Sequence, residues 1–248
     1  MKRKSKIGII GSSGYGDLPF LINEKVNRVF TPHGFTKLKQ GFVDAVPVVF
    51  LPRHDFSLSI APHKINYRAN IAALRKLEVD MIIAINAVGS MNNGLRPGSL
   101  GIVSDFIDAT KSRASTYYDK GQPVHIDMSE PYSPAVNKLI IQAAKNAGVS
   151  LKKDLVYVCT EGPRFETKSE IQMYKKLGAD VVGMSAVPEV VLAAEVGMPY
   201  ASLCMATNMA AGLEKGRLSV EEMTKTIEKN RNKITKVLRE VIRIVRAT

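Results

Sequence analysis

Several short stretches of this sequence carry side chains suited to holding an anion and a planar base. Gly11-Ser-Ser-Gly-Tyr-Gly16 combines glycines, which let backbone N–H groups approach an anion, with serine hydroxyls that add donors. Its spacing is neither Gly-x-Gly-x-x-Gly nor a nucleotide P-loop, so a simple tight turn is an equal alternative. Arg53-His54 places a guanidinium fork, matched to phosphate oxygens, beside an imidazole that can donate or accept a proton. A surface arginine next to a hydrogen-bonded histidine is the plainer reading of that pair. Asn86-Ala-Val-Gly-Ser90 offers small residues for backbone contact and an amide with both a donor and an acceptor.

Thr160-Glu-Gly-Pro-Arg-Phe-Glu-Thr167 gathers two carboxylates, an arginine and an aromatic ring. Phe165 can stack on a planar heterocycle, and Glu166 can accept an N–H from it. Capping and core packing are the alternatives, but this density of polar groups is unusual for a mere connection. Ser185 could bind an anion where a helix begins, and Met184 could pack a sugar face. In Thr207-Asn-Met-Ala-Ala-Gly212, the Asn208 amide suits a carbonyl flanked by a ring nitrogen.

These stretches follow apolar, β-branched runs at Ile7–Ile10, Val46–Leu51, Met81–Ile85, Leu100–Ile107, Leu155–Cys159, Val181–Met184 and Tyr200–Ala206. Near-continuous apolar runs are expected for strands covered on both faces. Helical patterns lie between them. Ser133-Pro134 forms an N-cap and N1 pair for a helix running to Asn146 and stopping at Gly148. Thr167-Lys-Ser-Glu170 reads as a capping box with Gly178 closing that helix, and another helix covers Pro188–Glu195. Ser219-Val-Glu-Glu222 is a second capping box, opening an amphipathic terminal helix. Alternating strands and helices predict an α/β fold with a central mixed, mainly parallel sheet flanked by helices, as one domain over residues 1–248. In such sheets ligands sit beyond the carboxyl ends of the strands, where the polar stretches fall. The polar stretch Lys111–Gln122 is a candidate lid.

The chain has 248 residues, with 35 Lys+Arg against 23 Asp+Glu, a formal charge of +12. Its basic residues are dispersed or lie on the solvated face of the terminal helix, with no aromatic-interleaved stripe, so nucleic-acid binding is not expected. A positive field does help gather small anions. No run approaches the roughly 20 apolar residues of a membrane helix, and the basic start is followed by too short an apolar stretch for export. Cys159 and Cys204 each sit in an apolar run and make neither a disulfide framework nor a zinc site. A cytoplasmic location is expected.

Taken together, the motifs resemble those of the trimeric purine nucleoside phosphorylase and methylthioadenosine phosphorylase superfamily. The likeness runs through Gly8–Gly14, Arg53-His54, Asn66-Tyr-Arg-Ala-Asn70, Asn86–Ser90, Glu161–Thr167, Val182–Glu189 and Thr207–Gly212. Within it, His125-Ile-Asp-Met-Ser-Glu-Pro-Tyr132, Cys159–Thr167 and Asn208–Gly212 resemble bacterial S-methyl-5′-thioinosine phosphorylases. The resemblance implies a purine-salvage pentosyltransferase in which orthophosphate displaces a purine from its sugar, with neither metal nor organic cofactor. It implies phosphate held by Ser13, Arg53, His54, Asn86 or the Ala87 backbone, and Ser185. Met184 would lie against the ribose, while Phe165, Glu166, Asn208, Met209 and Ala210 would surround the base. Asn208, Glu166 and His54 would carry the chemistry.

Superfamily members that prefer adenine carry aspartates in the region of Asn208 and Ala210. Here an amide and a methyl stand there, so a 6-oxopurine is the expected base. Val220 and Met223 would line the sugar's 5′ end and suit a methylthio group. His125 would reach that end from a neighbouring subunit of a homotrimer, or of a hexamer. S-methyl-5′-thioinosine is therefore the expected nucleoside, with general inosine/guanosine phosphorolysis or methylthioadenosine phosphorolysis as alternatives.

Overall fold

The protein is described by a computed structural model covering residues 5–12 and 14–247. The apolar runs form strands buried on both faces: β1 (Ile7–Gly11), β4 (Val46–Pro52), β5 (Met81–Ser90) and β9 (Tyr200–Met209). Successive side chains of a strand point to opposite faces. Ile10, Val49, Leu51, Ile82 and Ala84 therefore enter a core with α1 (Tyr67–Lys76) and α4 (Ala186–Glu195). Ile9, Val48, Phe50, Ile83 and Ile85 enter a second core with α2 (Pro134–Asn146) and α5 (Val220–Ala247). The helical layers on the two faces are thus set by strand parity.

The sheet has nine strands in the order β2 (Ile22–Thr31), β3 (Gly34–Val43), β4, β1, β5, β8 (Val181–Gly183), β7 (Leu151–Thr160), β6 (Leu100–Ala109), β9. β9 also pairs with β5, so the last five strands of that order close on themselves. β1 is parallel to β4 and β5, β9 to β5, and β7 to β6 and β8. The β2–β3, β3–β4, β5–β8 and β6–β9 pairs are antiparallel. The sheet is mixed and mainly parallel, as the alternating pattern predicts.

Local capping follows the sequence closely. The Ser133 hydroxyl accepts from the Val136 N–H, and Thr167 and Glu170 close both halves of the box that opens α3 (Lys168–Lys176). Ser219 accepts from the Glu222 N–H at the start of α5. Helix α4 starts at Ala186 rather than Pro188. Proline fits that first turn because its missing N–H has no intrahelical partner there. Two further differences concern elements that the apolar runs did not reveal. The β2–β3 hairpin is largely exposed and rich in charge, so it carries no apolar run. Helix α1 is opened by Asn66, whose side chain accepts from the Ala69 N–H. No helix among the described residues is long and apolar enough to cross a membrane.

Candidate active site

A cavity of about 110 Å³ lies at the carboxyl ends of the strands and opens into a groove of about 490 Å³. Two irregularities of the sheet build it. Strand β8 runs antiparallel to β5, with Gly89 opposite Val182. The chain leaving β8 therefore turns back along β5, and Met184 and Ser185 share the cavity wall with Ala87 and Gly89. The second irregularity is a bulge. Val88 pairs with Ala206, but the next residue, Gly89, pairs with Asn208, leaving Thr207 as the extra residue. A bulge re-aims the side chains beyond it. Here it sets Asn208 beside Gly89 on the cavity face.

On one side of the cavity stand Phe165, Glu166, Asn208 and Ala210. Glu166 is buried, and its carboxylate accepts a 2.6 Å hydrogen bond from the Thr160 hydroxyl at the end of β7. This bond fixes one oxygen of a side chain that lines the cavity. The Asn208 oxygen accepts from Thr207 Oγ1 at 2.8 Å, and its amide donates to the Met209 carbonyl at 2.9 Å. A primary amide has two N–H groups and two lone pairs, so a donor and an acceptor remain for a ligand.

The same cavity is lined by Met184. Gly162 lies against it at φ +63°, and a Cβ there would come within 2.6 Å of the Met184 sulfur. Only glycine suits both the backbone angle and that approach. At the polar end are Ser12, His54, Ala87 and Ser185. Ser185 precedes α4, yet its hydroxyl makes no capping bond and remains available at a positive helix end.

His54 Nδ1 lies 2.7 Å from the Ile60 carbonyl. A carbonyl can only accept, so Nδ1 carries the proton, and neutral His54 presents Nε2 as an acceptor. Burial holds this imidazole below its ordinary pKa, with the Arg53 charge acting the same way, against the opposing pull of the Ile60 hydrogen bond. The unfolded chain thus takes up a proton near pH 6.5, where the folded chain resists it, and stability falls as pH drops below that value. The urea midpoint of the unaltered protein should fall more between pH 7 and pH 5 than that of His54→Gln. Equal losses in both proteins would show that His54 is not the group responsible.

Several expected residues lie elsewhere. Arg53 does not line the cavity; it is buried, with Nε and Nη2 donating to the Glu189 carboxylate at 2.5 and 2.8 Å and Nη1 to the Ile85 carbonyl at 3.1 Å. A buried guanidinium needs such full compensation. Tyr200 donates to the same carboxylate at 2.9 Å, so both Glu189 oxygens are held by buried partners. Asn86 sits inside β5, not in a loop after it, and donates to the Ser202 hydroxyl at 2.9 Å. Because Ala87 and Gly89 line the cavity, strand alternation turns Asn86 away. Val220 is 68% exposed, and Leu218 with Met223 lines the cavity instead. Met209 lines the wider groove, and His125 is exposed in a stretch without regular secondary structure. Ser13 lies outside the described residues.

Sequence reasoning passed over Pro62 and Leu218 as cavity residues and read Val182 and Gly183 only as strand, whereas Ser12 and Gly89 fall in stretches it had offered for anion or backbone contact. Small and apolar side chains give no chemical signal, and only the β5–β8 pairing brings Gly89 and Val182 together. The proposed lid is anchored over its first half. Glu161 accepts from the Lys111 N–H, and Glu195 accepts from the Tyr117 N–H at 2.8 Å.

The chain belongs to the phosphorylase superfamily, whose family model matches residues 6–243. Among particular relatives, it is 44% identical to the 6-oxopurine nucleoside phosphorylase of Pyrococcus furiosus, over 97% of this chain and 93% of that one. It is 47% identical to the protein named probable S-methyl-5′-thioinosine phosphorylase of Methanocaldococcus jannaschii, over 95% and 91%. Its fold is similar to that of methylthioadenosine phosphorylase from Schistosoma mansoni in complex with adenine. That match has a TM-score of 0.94 and 32% identity, and covers 99% of this chain and 93% of the other.

Proposed function

We propose that this chain catalyses phosphorolysis of 6-oxopurine nucleosides, taking S-methyl-5′-thioinosine and orthophosphate to hypoxanthine and 5-methylthioribose 1-phosphate. The carrying observation is one cavity lined by a Thr160-anchored Glu166 carboxylate and the Asn208 amide together with Met184, His54 and Ser185. A 6-oxopurine presents a ring N–H and a carbonyl. The carboxylate accepts the first, and the amide donates to the second or to the adjacent five-membered-ring nitrogen. A 6-aminopurine sets its unprotonated ring nitrogen against the Glu166 carboxylate, acceptor against acceptor, and its amino group finds only the one free Asn208 lone pair, since the Ala210 methyl offers none. An unpaired buried polar group costs about 1–3 kcal/mol, roughly ten- to a hundredfold in discrimination.

In this reading, phosphate binds between Ser12, His54, the Ala87 backbone and Ser185, where Nε2 of neutral His54 accepts a hydrogen bond from the hydroxyl of monohydrogen phosphate. A phosphate oxygen forms a bond to the anomeric carbon as the glycosidic C–N bond breaks; that electron pair leaves with the purine, which takes up the proton that the phosphate gives up. The sugar passes through an oxocarbenium-like state stabilised by the adjacent anion. The Asn208 N–H supports the charge that develops on the leaving base. The chemistry requires neither metal nor organic cofactor. Leu218 and Met223 give the 5′ end an apolar lining, which favours a thioether over a hydroxyl. Assembly as a homotrimer in the cytoplasm belongs to the same reading. General inosine/guanosine phosphorolysis is the second reading, favoured by the Pyrococcus furiosus relative.

Specificity constants for methylthioinosine, inosine and methylthioadenosine separate these cases. Methylthioinosine should lead, and inosine in first place would move the assignment to the second reading. Methylthioadenosine in first place would overturn the base assignment.

A further inference from the structure

Arg113 lies in the stretch after β6, and the chemistry above does not use it. Its side chain is 1% exposed, so a full charge is held inside the protein. Nη1 donates to the Tyr67 hydroxyl at 3.0 Å and to the Met184 carbonyl at 2.6 Å. Nη2 donates to the Thr160 carbonyl at 3.1 Å and to the Glu161 carbonyl at 2.6 Å. The charge is balanced by Glu161, 3.3 Å from Nε, and by the Tyr67 ring, 5.5 Å from the guanidinium carbon. Tyr67 passes the link onward, since its hydroxyl donates to the Pro62 carbonyl at 2.8 Å.

These partners fall in three segments around the cavity. Met184 and Pro62 line it directly, and Thr160 holds Glu166 in place. The three segments come from separate parts of the chain, and side-chain packing alone does not fix backbone carbonyls to tenths of an ångström. A planar fork with five donors does this where a single ammonium cannot.

We propose that Arg113 is a positioning residue of the phosphorolysis site. Its guanidinium sets the spacing between the base wall at Thr160–Glu161, the sugar wall at Met184 and the Pro62 wall. This inference rests on the proposed function. It predicts that losing the fork harms nucleoside recognition more than phosphate recognition, because its bonds converge on the base and sugar walls.

Three variants test it: Arg113→Met, which keeps the stem; Arg113→Lys, which keeps the charge; and Tyr67→Phe, which removes the hydroxyl joining Arg113 to Pro62 and leaves the other Arg113 bonds in place. Misplacement by about an ångström can cost on the order of 100-fold, so kcat/KM for the nucleoside should fall about 10- to 100-fold in both Arg113 variants. The phosphate KM should stay within about threefold, and lysine should not rescue. Tyr67→Phe should show a smaller loss of the same kind, which keeps the test decisive if Arg113→Met fails to fold. Wild-type nucleoside constants in Arg113→Lys or Tyr67→Phe would overturn the proposal. So would equal loss toward both substrates, which indicates general destabilisation. Absence of phosphorolysis by the unaltered protein would instead sink the functional reading, and this inference with it.

Discussion

Asn208→Ala should lower kcat for methylthioinosine by about two to four orders of magnitude, the range usual for a group that assists proton or charge transfer at a leaving atom. The base departs with the electron pair of the glycosidic bond, and Asn208 is the amide that the β9 bulge directs to the cavity. The substitution removes the Asn208 bonds to Thr207 Oγ1 and Met209, at a site that is only half-buried. Each such bond is worth about 0.5–1.5 kcal/mol, so the fold should survive and the melting temperature should drop by only a few degrees. Steady-state kinetics beside a thermal melt checks both halves. A variant that keeps kcat within about threefold would remove Asn208 from the chemistry.

Glu166→Gln should lower kcat/KM for methylthioinosine by about 10- to 200-fold while leaving the phosphate KM unchanged. The carboxylate has one oxygen occupied by Thr160, and in the proposed reading the other takes the ring N–H of the base. An amide whose oxygen keeps the Thr160 bond turns its own N–H toward that ring N–H, donor against donor. A hydrogen bond to a charged group is worth about 1.5–3 kcal/mol, which sets the size of the loss. Methylthioadenosine presents an unprotonated ring nitrogen at the same place, and an amide can donate to it. The preference for methylthioinosine over methylthioadenosine should therefore shrink at least tenfold in this variant. An unchanged ratio would mean that Glu166 does not read the base.

Much of this site was legible because its residues sit where strand meets loop. His54 after β4, Phe165 and Glu166 after β7, and Met184 and Ser185 after β8 all follow apolar runs, and each lines the cavity. The misplacements share a physical origin. Asn86 and Thr207 are small or polar residues that continue a strand rather than end it, so apolar content stops before the hydrogen-bonded ladder does. Side-chain direction in a strand depends on parity and register, and a one-residue bulge changes it without any compositional trace.

Arg53 shows a different limit. An arginine beside a histidine reads equally well as a phosphate ligand or as one half of an ion pair. Only the fold reveals that Glu189, far along the chain, arrives to take both arms of the fork. The same holds for Arg113, whose partners Tyr67, Thr160, Glu161 and Met184 are scattered through the sequence. The β2–β3 hairpin stayed hidden because an exposed edge strand has no need of apolar alternation.

The central claim is that a captured phosphate displaces the base, and it is tested most directly by following both products of one reaction. Purified protein is incubated with methylthioinosine, with and without orthophosphate. Hypoxanthine is measured by chromatography and the sugar product by phosphorus NMR. The account predicts hypoxanthine release only when phosphate is present, matched mole for mole by a sugar 1-phosphate. Release that continues undiminished without phosphate, yielding free methylthioribose, would contradict it.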